Sequence, residues 1–106
     1  MQEITAQEAA SLLEQNPDSM VLLDVREQVE LDMASVNAVT HIPMGEIPAR
    51  LGELDSSKTI ICMCHLGGRS AQVGAFLEAN GFGQVINMAG GIDAWSQNVD
   101  PEVPRY

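Results

Sequence analysis

The chain has 106 residues, of which 45% are hydrophobic, and fifteen acidic against five basic residues give it a net charge of −10. This size and content suit one compact domain over residues 1–106 whose core needs neither metals nor disulfides. Because lysine and arginine form no cluster, we expect no nucleic-acid partner and no anionic membrane surface as a partner. The longest apolar run is only a few residues, which is too short to span a bilayer.

The cellular setting is also constrained by the sequence. The first basic residue is Arg26 and no apolar segment opens the chain, so we expect no secretory signal and a cytoplasmic location. Cys62 and Cys64 lie two residues apart and cannot join distant parts of a fold, which fits a reducing compartment. Nothing in the apolar pattern requires a dimer, so a monomer is expected.

Five segments predict β-strands. Residues 21–25 and 59–63 are continuous apolar runs, typical of parallel strands that are covered on both faces. Shorter segments at 85–88 and at 38–40 predict two further strands, the second of them weak. Ile4 predicts a short strand at the edge of the sheet.

Helical spacing of apolar residues predicts helices between these strands. Residues 5–8, Thr-Ala-Gln-Glu, form a capping-box sequence that begins the first helix, and Pro17 ends it. The helix at 27–33 is expected to be acidic on its exposed face. The other predicted helices cover 45–51, 70–80, with Gly81 as a left-handed cap, and 92–97.

Strand and helix alternate about five times, which predicts an α/β fold. We expect three layers, with a mainly parallel sheet of about five strands and helices on both faces. Ligands of such sheets bind at the carboxyl ends of the strands. Cys64, His41, Gly90 and Gly91 are all predicted to lie at that end.

The loop after the strand at 59–63 contains the residues best suited to chemistry. Its two glycines allow successive N–H groups to converge on one point, just before a helix begins. Such a position, with an arginine nearby, lowers the pKa of a thiol from its ordinary value of about 8.5. The sequence therefore predicts a reactive thiolate surrounded by its own loop. The residues of this predicted site are Cys64, His65, Leu66, Gly67, Gly68, Arg69 and Ser70.

At this loop the sequence resembles a rhodanese domain, the single-domain form of the sulfurtransferases. The resemblance continues in Leu-Asp-Val-Arg-Glu at 23–27, His-Ile-Pro at 41–43 and Gly-Gly-Ile-Asp-Ala-Trp at 90–95. None of these pieces is specific alone, but their order and spacing together are. The resemblance therefore covers nearly the whole chain.

The resemblance implies a sulfur-transfer reaction without a cofactor or metal. The Cys64 thiolate would take the outer sulfur of thiosulfate or of a persulfide donor, and the resulting persulfide would pass it to cyanide, a thiol or a protein. Residues 65–70 would bind the substrate, with Arg69 neutralising an incoming dianion. Cys64 and Arg69 form a C-x4-R loop, whereas the similar loops of cysteine-dependent phosphatases have C-x5-R and hold phosphate.

Two other functions stay open beside the sulfurtransferase. One is a sulfur-carrier or regulatory module that docks on a protein, for which an acidic surface would suit a basic partner. The other is a cysteine-dependent phosphatase or arsenate reductase, which the shorter loop disfavours. For Cys64 itself, the plainer alternative is a buried residue that only fills space.

The remaining cysteine and the two histidines are expected to have mainly structural roles. Cys62 is expected to be buried, with a resolving thiol for an oxidised Cys64 as the alternative. His65 is expected to be exposed and able to tune Cys64, and His41 to fix a loop. The cysteines and histidines lack the paired ligand spacing of a zinc site.

The resemblance also assigns structural roles. It implies that Asp24 and Arg26 link the second strand to its neighbours, and Trp95 is expected in the core. Many rhodanese domains have Gly-His followed by a second glycine in the turn before the third strand, where this chain has residues 34–36, Ala-Ser-Val, and then Ala38. We expect this difference to alter only the local geometry of the turn.

Overall fold

The computed structural model describes residues 1–106 as a parallel sheet of five strands with helices on both faces. The strands are β1 (Gln2–Ile4), β2 (Met20–Asp24), β3 (Thr40–His41), β4 (Thr59–Met63) and β5 (Val85–Met88). The helices are α1 (Ala6–Gln15), α2 (Gln28–Met33), α3 (Ile47–Arg50), α4 (Gly68–Ala79) and α5 (Gly91–Asn98). The strand order is β1-β5-β4-β2-β3, and every pairing is parallel. None of the helices has the length and apolar character needed to cross a membrane.

The predicted α/β fold is confirmed, and the two strands nearest the predicted site have the predicted bounds, 59–63 and 85–88. Strand β2 lies one residue earlier than predicted. The strand predicted at 38–40 is wrong in position, because Ala38 has a φ of 62° and cannot continue an extended backbone. Strand β3 therefore begins only at Thr40.

Helix boundaries follow the caps of the sequence. The amide of Glu8 donates to Thr5 Oγ1 and the amide of Thr5 to Glu8 Oε1, both at 3.1 Å, so the predicted capping box is confirmed. The helix predicted at 45–51 is instead the single turn of α3 between two 3-10 turns, Met44–Glu46 and Leu51–Glu53. Helix α4 begins two residues before its predicted start, because Gly67 adopts a left-handed conformation and caps it.

The hydrophobic core lies in two parts, one on each face of the sheet. Alternation along β4 sends Ile61 and Met63 to the part covered by α1 and α5, which also holds Trp95 as predicted. Ile60, Cys62 and the following Cys64 pack on the other face, against α3 and α4. Strand β4 is thus buried on both faces, and it directs the side chain of Cys64 towards α4.

A buried ion pair ties β2 to the segment that follows it. Arg26 contacts Asp24 at 2.8 Å, and neither side chain is exposed to solvent. The same guanidinium donates to the carbonyl of Ala34 at 2.9 Å, and His41 Nε2 lies 2.6 Å from the carbonyl of Arg26. These contacts confirm the structural roles that were expected of all three polar side chains.

Ala38 offers a direct test of the altered turn. Its left-handed backbone costs an alanine more than a glycine, so Ala38→Gly should stabilise the protein by about 0.5–1 kcal/mol. The same substitution at Ala10, inside α1, should destabilise it by about 1 kcal/mol. Urea unfolding of both variants measures the difference, and a lower midpoint for Ala38→Gly would contradict the strain argument.

Candidate active site

The candidate site lies at the end of β4, in the loop that connects this strand to α4. Cys64 follows the last residue of the strand and is only 1% exposed. The loop then turns sharply at Gly67, whose φ of 116° lies in the region that favours glycine. This turn points the amide of Gly67 at the sulfur, and its N–H donates to Cys64 Sγ at 3.1 Å. The Cys64 side chain is therefore covered, and it faces the N–H groups of residues 66, 67 and 70, which are called the cup below.

Ser70, in the first turn of α4, adds a hydroxyl to the cup. Its Oγ lies 3.3 Å from Cys64 Sγ, 2.6 Å from Asn87 Oδ1 and 3.3 Å from the carbonyl of Gly67, so one hydroxyl hydrogen has three acceptors available. Asn87 is itself fixed, because its Nδ2 donates to Glu3 Oε2 at 2.9 Å and to the carbonyl of Gly67 at 3.2 Å. The hydroxyl can therefore rotate towards the sulfur when Cys64 becomes negatively charged.

These donors decide the ionisation of the cysteine. Burial acts to raise the pKa of Cys64 and is the largest single influence on it. The hydroxyl and amide of Ser70, with the amides of Gly67 and Leu66, act in the opposite direction and together leave the pKa below its ordinary value. A thiolate is therefore favoured at this position relative to an ordinary cysteine.

Helix α5 holds the other side of the loop. The amide of Ile92 donates to the carbonyl of Cys64 at 2.9 Å, and the amide of Asp93 to the carbonyl of His65 at 3.2 Å. Gly91 makes this approach possible, since its φ is 57° and a Cβ there would collide with the carbonyl oxygens of Cys64 and His65. The expected close approach of the Gly90-Gly91 turn is confirmed. Both carbonyls are engaged by α5, which leaves the amides of the loop free to face the sulfur.

Arg69 is already paired within the protein. Its Nη1 donates to Glu30 Oε1 at 2.6 Å and its Nη2 to Glu30 Oε2 at 2.9 Å. This bond holds the pKa of Glu30 at about 2, well below its usual range, and raises the pKa of Arg69. The helix at 27–33 was expected to present its acidic residues to solvent, but Glu30 turns inward and its side chain is only 13% exposed.

Tyr106 completes the surroundings of the loop. Its ring stacks on that of His65, with centroids 4.0 Å apart and an angle of 10° between the planes. Its hydroxyl donates to Glu30 Oε2 at 2.7 Å and accepts from Arg26 at 3.0 Å. His65 is consequently half-buried, whereas the sequence predicted an exposed ring.

Of the predicted site residues, Gly67 and Ser70 hydrogen-bond to Cys64 Sγ. The side chains of His65 and Arg69 instead contact Tyr106 and Glu30, and Leu66 is exposed. Three side chains that the sequence analysis missed also lie at the loop. Glu30, Asn87 and Tyr106 come from α2, β5 and the C-terminal segment, far from the loop along the chain. Only Asn87 had a signal in the sequence, because it is a polar residue inside the otherwise apolar strand at 85–88. No signal linked Glu30 to Arg69, thirty-nine residues away.

Cys62 differs from Cys64 although both face the same side of the sheet. It is fully buried, as expected, and burial together with the neighbouring Cys64 raises its pKa to about 12. Both cysteines are free. A thiolate at Cys62 is strongly disfavoured, because no amide cup surrounds it.

The fold and the site together define a parallel α/β protein with a thiolate-stabilising loop at the end of a central strand. The rhodanese-like domain family matches residues 5–98, and the chain belongs to this family. The resemblance inferred from the sequence motifs is thereby confirmed.

Relatives include proteins named for sulfur chemistry. The chain is 33% identical over 86 residues to a sulfurtransferase of Allochromatium vinosum, with 81% of this chain and 80% of that protein aligned. It is 38% identical over 93 residues to a chloroplastic rhodanese-like/PpiC domain-containing protein of Arabidopsis thaliana. That alignment covers 84% of this chain but 31% of the relative, and a Bacillus subtilis relative named as a candidate sulfur carrier is covered over 43% of its length. The chain thus spans less than half of these last two proteins.

Solved structures agree with the fold. A rhodanese-like domain protein from Staphylococcus aureus superimposes with a TM-score of 0.84 at 31% identity, over 100% of this chain and 99% of that one. The five-stranded α/β architecture is therefore that of known rhodanese-like domains.

Gly91 should be the least replaceable residue of the turn facing the loop. Gly91→Ala combines a left-handed backbone with a collision against two carbonyl oxygens and should destabilise the protein by roughly 2–4 kcal/mol. Gly68→Ala is the matched control, because a Cβ at Gly68 meets no atom within 4 Å, and it should stay within about 0.5 kcal/mol of the parent. Urea unfolding measures the stability of both variants. Equal unfolding midpoints for Gly91→Ala and Gly68→Ala would show that α5 can move away from the loop at little cost in stability.

Ser70 should control the ionisation of Cys64. Ser70→Ala removes one donor to the sulfur, so the pKa of Cys64 should rise by roughly 0.5–1 pH unit. The pH dependence of the iodoacetamide reaction rate measures this, with digestion to locate the adduct at Cys64. Ser96→Ala, which removes another buried serine hydroxyl, should leave the pH midpoint of the iodoacetamide reaction unchanged. An unshifted midpoint in Ser70→Ala would mean that the amides alone set the pKa.

Proposed function

We propose that this chain is a sulfurtransferase that moves sulfane sulfur from thiosulfate or a persulfide donor to a thiophilic acceptor through a Cys64 persulfide. The observation that carries the proposal is the hydrogen bond from the Gly67 amide to Cys64 Sγ, with Ser70 and the beginning of α4 beside it. An anionic sulfur is favoured at such a point. Membership of the rhodanese-like family and relatives named sulfurtransferases support the same chemistry.

In the first step the Cys64 thiolate attacks the outer sulfur of the donor. With thiosulfate, the bond from that sulfur to the sulfonate breaks, sulfite leaves with the electron pair, and a persulfide anion forms on Cys64. The negative charge moves from Sγ to the terminal sulfur, within reach of the same group of loop donors. The amides of residues 66, 67 and 70 would hold it as they hold the thiolate.

In the second step a nucleophile such as cyanide, a thiol or a protein thiol attacks the terminal sulfur. The bond between that sulfur and Sγ breaks, and Cys64 returns to the thiolate that the cup favours. No group needs to be oxidised by an outside reagent, so the cycle requires no cofactor. The C-x4-R spacing from Cys64 to Arg69 supports this chemistry over a phosphatase, because the similar loops of cysteine-dependent phosphatases have one residue more, C-x5-R, and hold phosphate.

A sulfur carrier that delivers to a protein partner is the second candidate. The almost complete burial of Cys64 favours it, as does the exposed Leu66 on the same loop, at 63% exposure, where a partner could dock. One relative is named as a candidate sulfur carrier. Steady-state turnover with small donors, thiosulfate and methanethiosulfonate alike, far below turnover with a protein persulfide would distinguish this role from that of a free-standing enzyme.

Mass spectrometry of the intact protein tests the persulfide directly. Incubation with excess thiosulfate should add the mass of one sulfur atom, and digestion should locate it at Cys64. Cys64→Ala should abolish both the added mass and thiocyanate formation from cyanide, whereas Cys62→Ala should retain them because Cys62 has no stabilised thiolate. Sulfur found on neither cysteine, with phosphate released from an aryl phosphate, would replace this proposal with a phosphatase.

A further inference from the structure

The charge around Arg69 is cancelled by a carboxylate that is firmly held. Besides the two bonds from Arg69, Glu30 accepts from the hydroxyl of Tyr106 at 2.7 Å and from the amide of Glu27 at 3.2 Å. The pair is only partly exposed, at 36% for Arg69 and 13% for Glu30. The carboxylate therefore stays ionised and in place at any ordinary pH.

No other arginine or lysine compensates for this loss of positive charge at the loop. Every arginine of the chain is paired with a carboxylate, and the single lysine, Lys58, precedes β4 at the opposite end of the strand from Cys64. The whole protein carries a charge of −10. A small dianion that approaches Cys64 thus meets no free cationic side chain among the lysines and arginines.

We propose that Glu30 is a specificity-determining residue that makes the site select sulfur donors of low negative charge over dianions. This inference rests on the proposed sulfur transfer and names its donor class: organic persulfides and thiosulfonates, with thiosulfate as a poor donor. The pairing fixes the head of Arg69 and leaves the net charge of the Glu30–Arg69 pair at zero. The negative charge of the protein repels an anionic donor in proportion to the charge of that donor, so a donor of lower charge reaches Cys64 more readily.

Two donors that differ by one charge isolate the effect. Thiosulfate, a dianion, leaves as sulfite, and methanethiosulfonate, a monoanion, leaves as methanesulfinate. In both reactions the Cys64 thiolate forms a bond to the sulfane sulfur and the sulfur–sulfur bond of the donor breaks. The persulfide product is the same, so a change in the ratio of the two rates between variants reports on the charge near Cys64.

Glu30→Gln is the test variant, because an amide keeps an acceptor for Arg69 and removes the negative charge. It should raise kcat/KM for thiosulfate about tenfold, mainly through KM, and change the value for methanethiosulfonate less than about threefold. Glu14→Gln makes the same change of net charge at an exposed position on α1 and should leave the ratio unchanged. An unchanged ratio in Glu30→Gln, or an equal rise in Glu14→Gln, would overturn the proposal.

Alkylation provides a readout that needs no sulfur transfer. The rate of Cys64 modification by iodoacetate, a monoanion, relative to uncharged iodoacetamide should rise about threefold in Glu30→Gln and stay constant in Glu14→Gln. If wild-type protein accepts sulfur from no donor while this ratio still shifts, the proposed function fails and the control of anion access by Glu30 stands. If sulfur is transferred and neither ratio shifts, the function stands and the role of Glu30 is wrong.

Arg69→Gln gives a second variant with the opposite expected sign. It leaves the Glu30 carboxylate without its cation, so the preference against thiosulfate and against iodoacetate should both increase. Cooperative thermal unfolding establishes that each variant is folded. Should Glu30→Gln fail to fold, a relative gain of thiosulfate and iodoacetate rates in Arg69→Gln would overturn the proposal by itself.

Discussion

The ionisation of Cys64 depends on the direction of a few peptide N–H groups. Those groups converge because Gly67 takes a left-handed conformation and because α5 binds the carbonyls of Cys64 and His65 on the other side of the loop. Each contribution is a single hydrogen bond, yet together they outweigh the burial that would otherwise keep the thiol neutral. The glycines at 67 and 91 are thus required by geometry, since each has a backbone or a neighbour that a side chain would disturb.

Around this cup, the charged groups form one connected network that begins in the core. Asp24 fixes Arg26, Arg26 contacts the hydroxyl of Tyr106, and Tyr106 contacts Glu30, which holds Arg69. The stack of Tyr106 on His65 brings the network back to the loop. The motif containing Asp24 and Arg26 is therefore connected through side-chain contacts to the charged pair beside the Cys64 loop. Structural and chemical residues cannot be separated cleanly in this part of the molecule.

Local patterns in the sequence were sufficient for the fold class, the two strands nearest the loop and the capping box. The continuous apolar run at 59–63 predicted the bounds of β4, and the shorter segment at 85–88 those of β5. Within the predicted loop, Gly67 and Ser70 hydrogen-bond to Cys64 Sγ. The features that the sequence did not predict depend on the conformation of single residues or on contacts between residues far apart in the chain. The conformation of Ala38 displaced β3, and the partners Glu30 and Tyr106 reach the loop only through the folded arrangement of α2 and the C-terminal segment. Neither kind of information is contained in periodicity or spacing.

The sheet order has a consequence for how the sulfur becomes accessible. Strand β4 lies between β5 and β2, so its amides are bonded on both sides and should exchange with solvent only when the whole domain unfolds. Cys64 is therefore attached to the part of the protein that opens most slowly. Brief exposure of Cys64 Sγ to solvent is then expected from motion of the loop and of the residues that cover it, while the backbone of β4 stays fixed relative to the core.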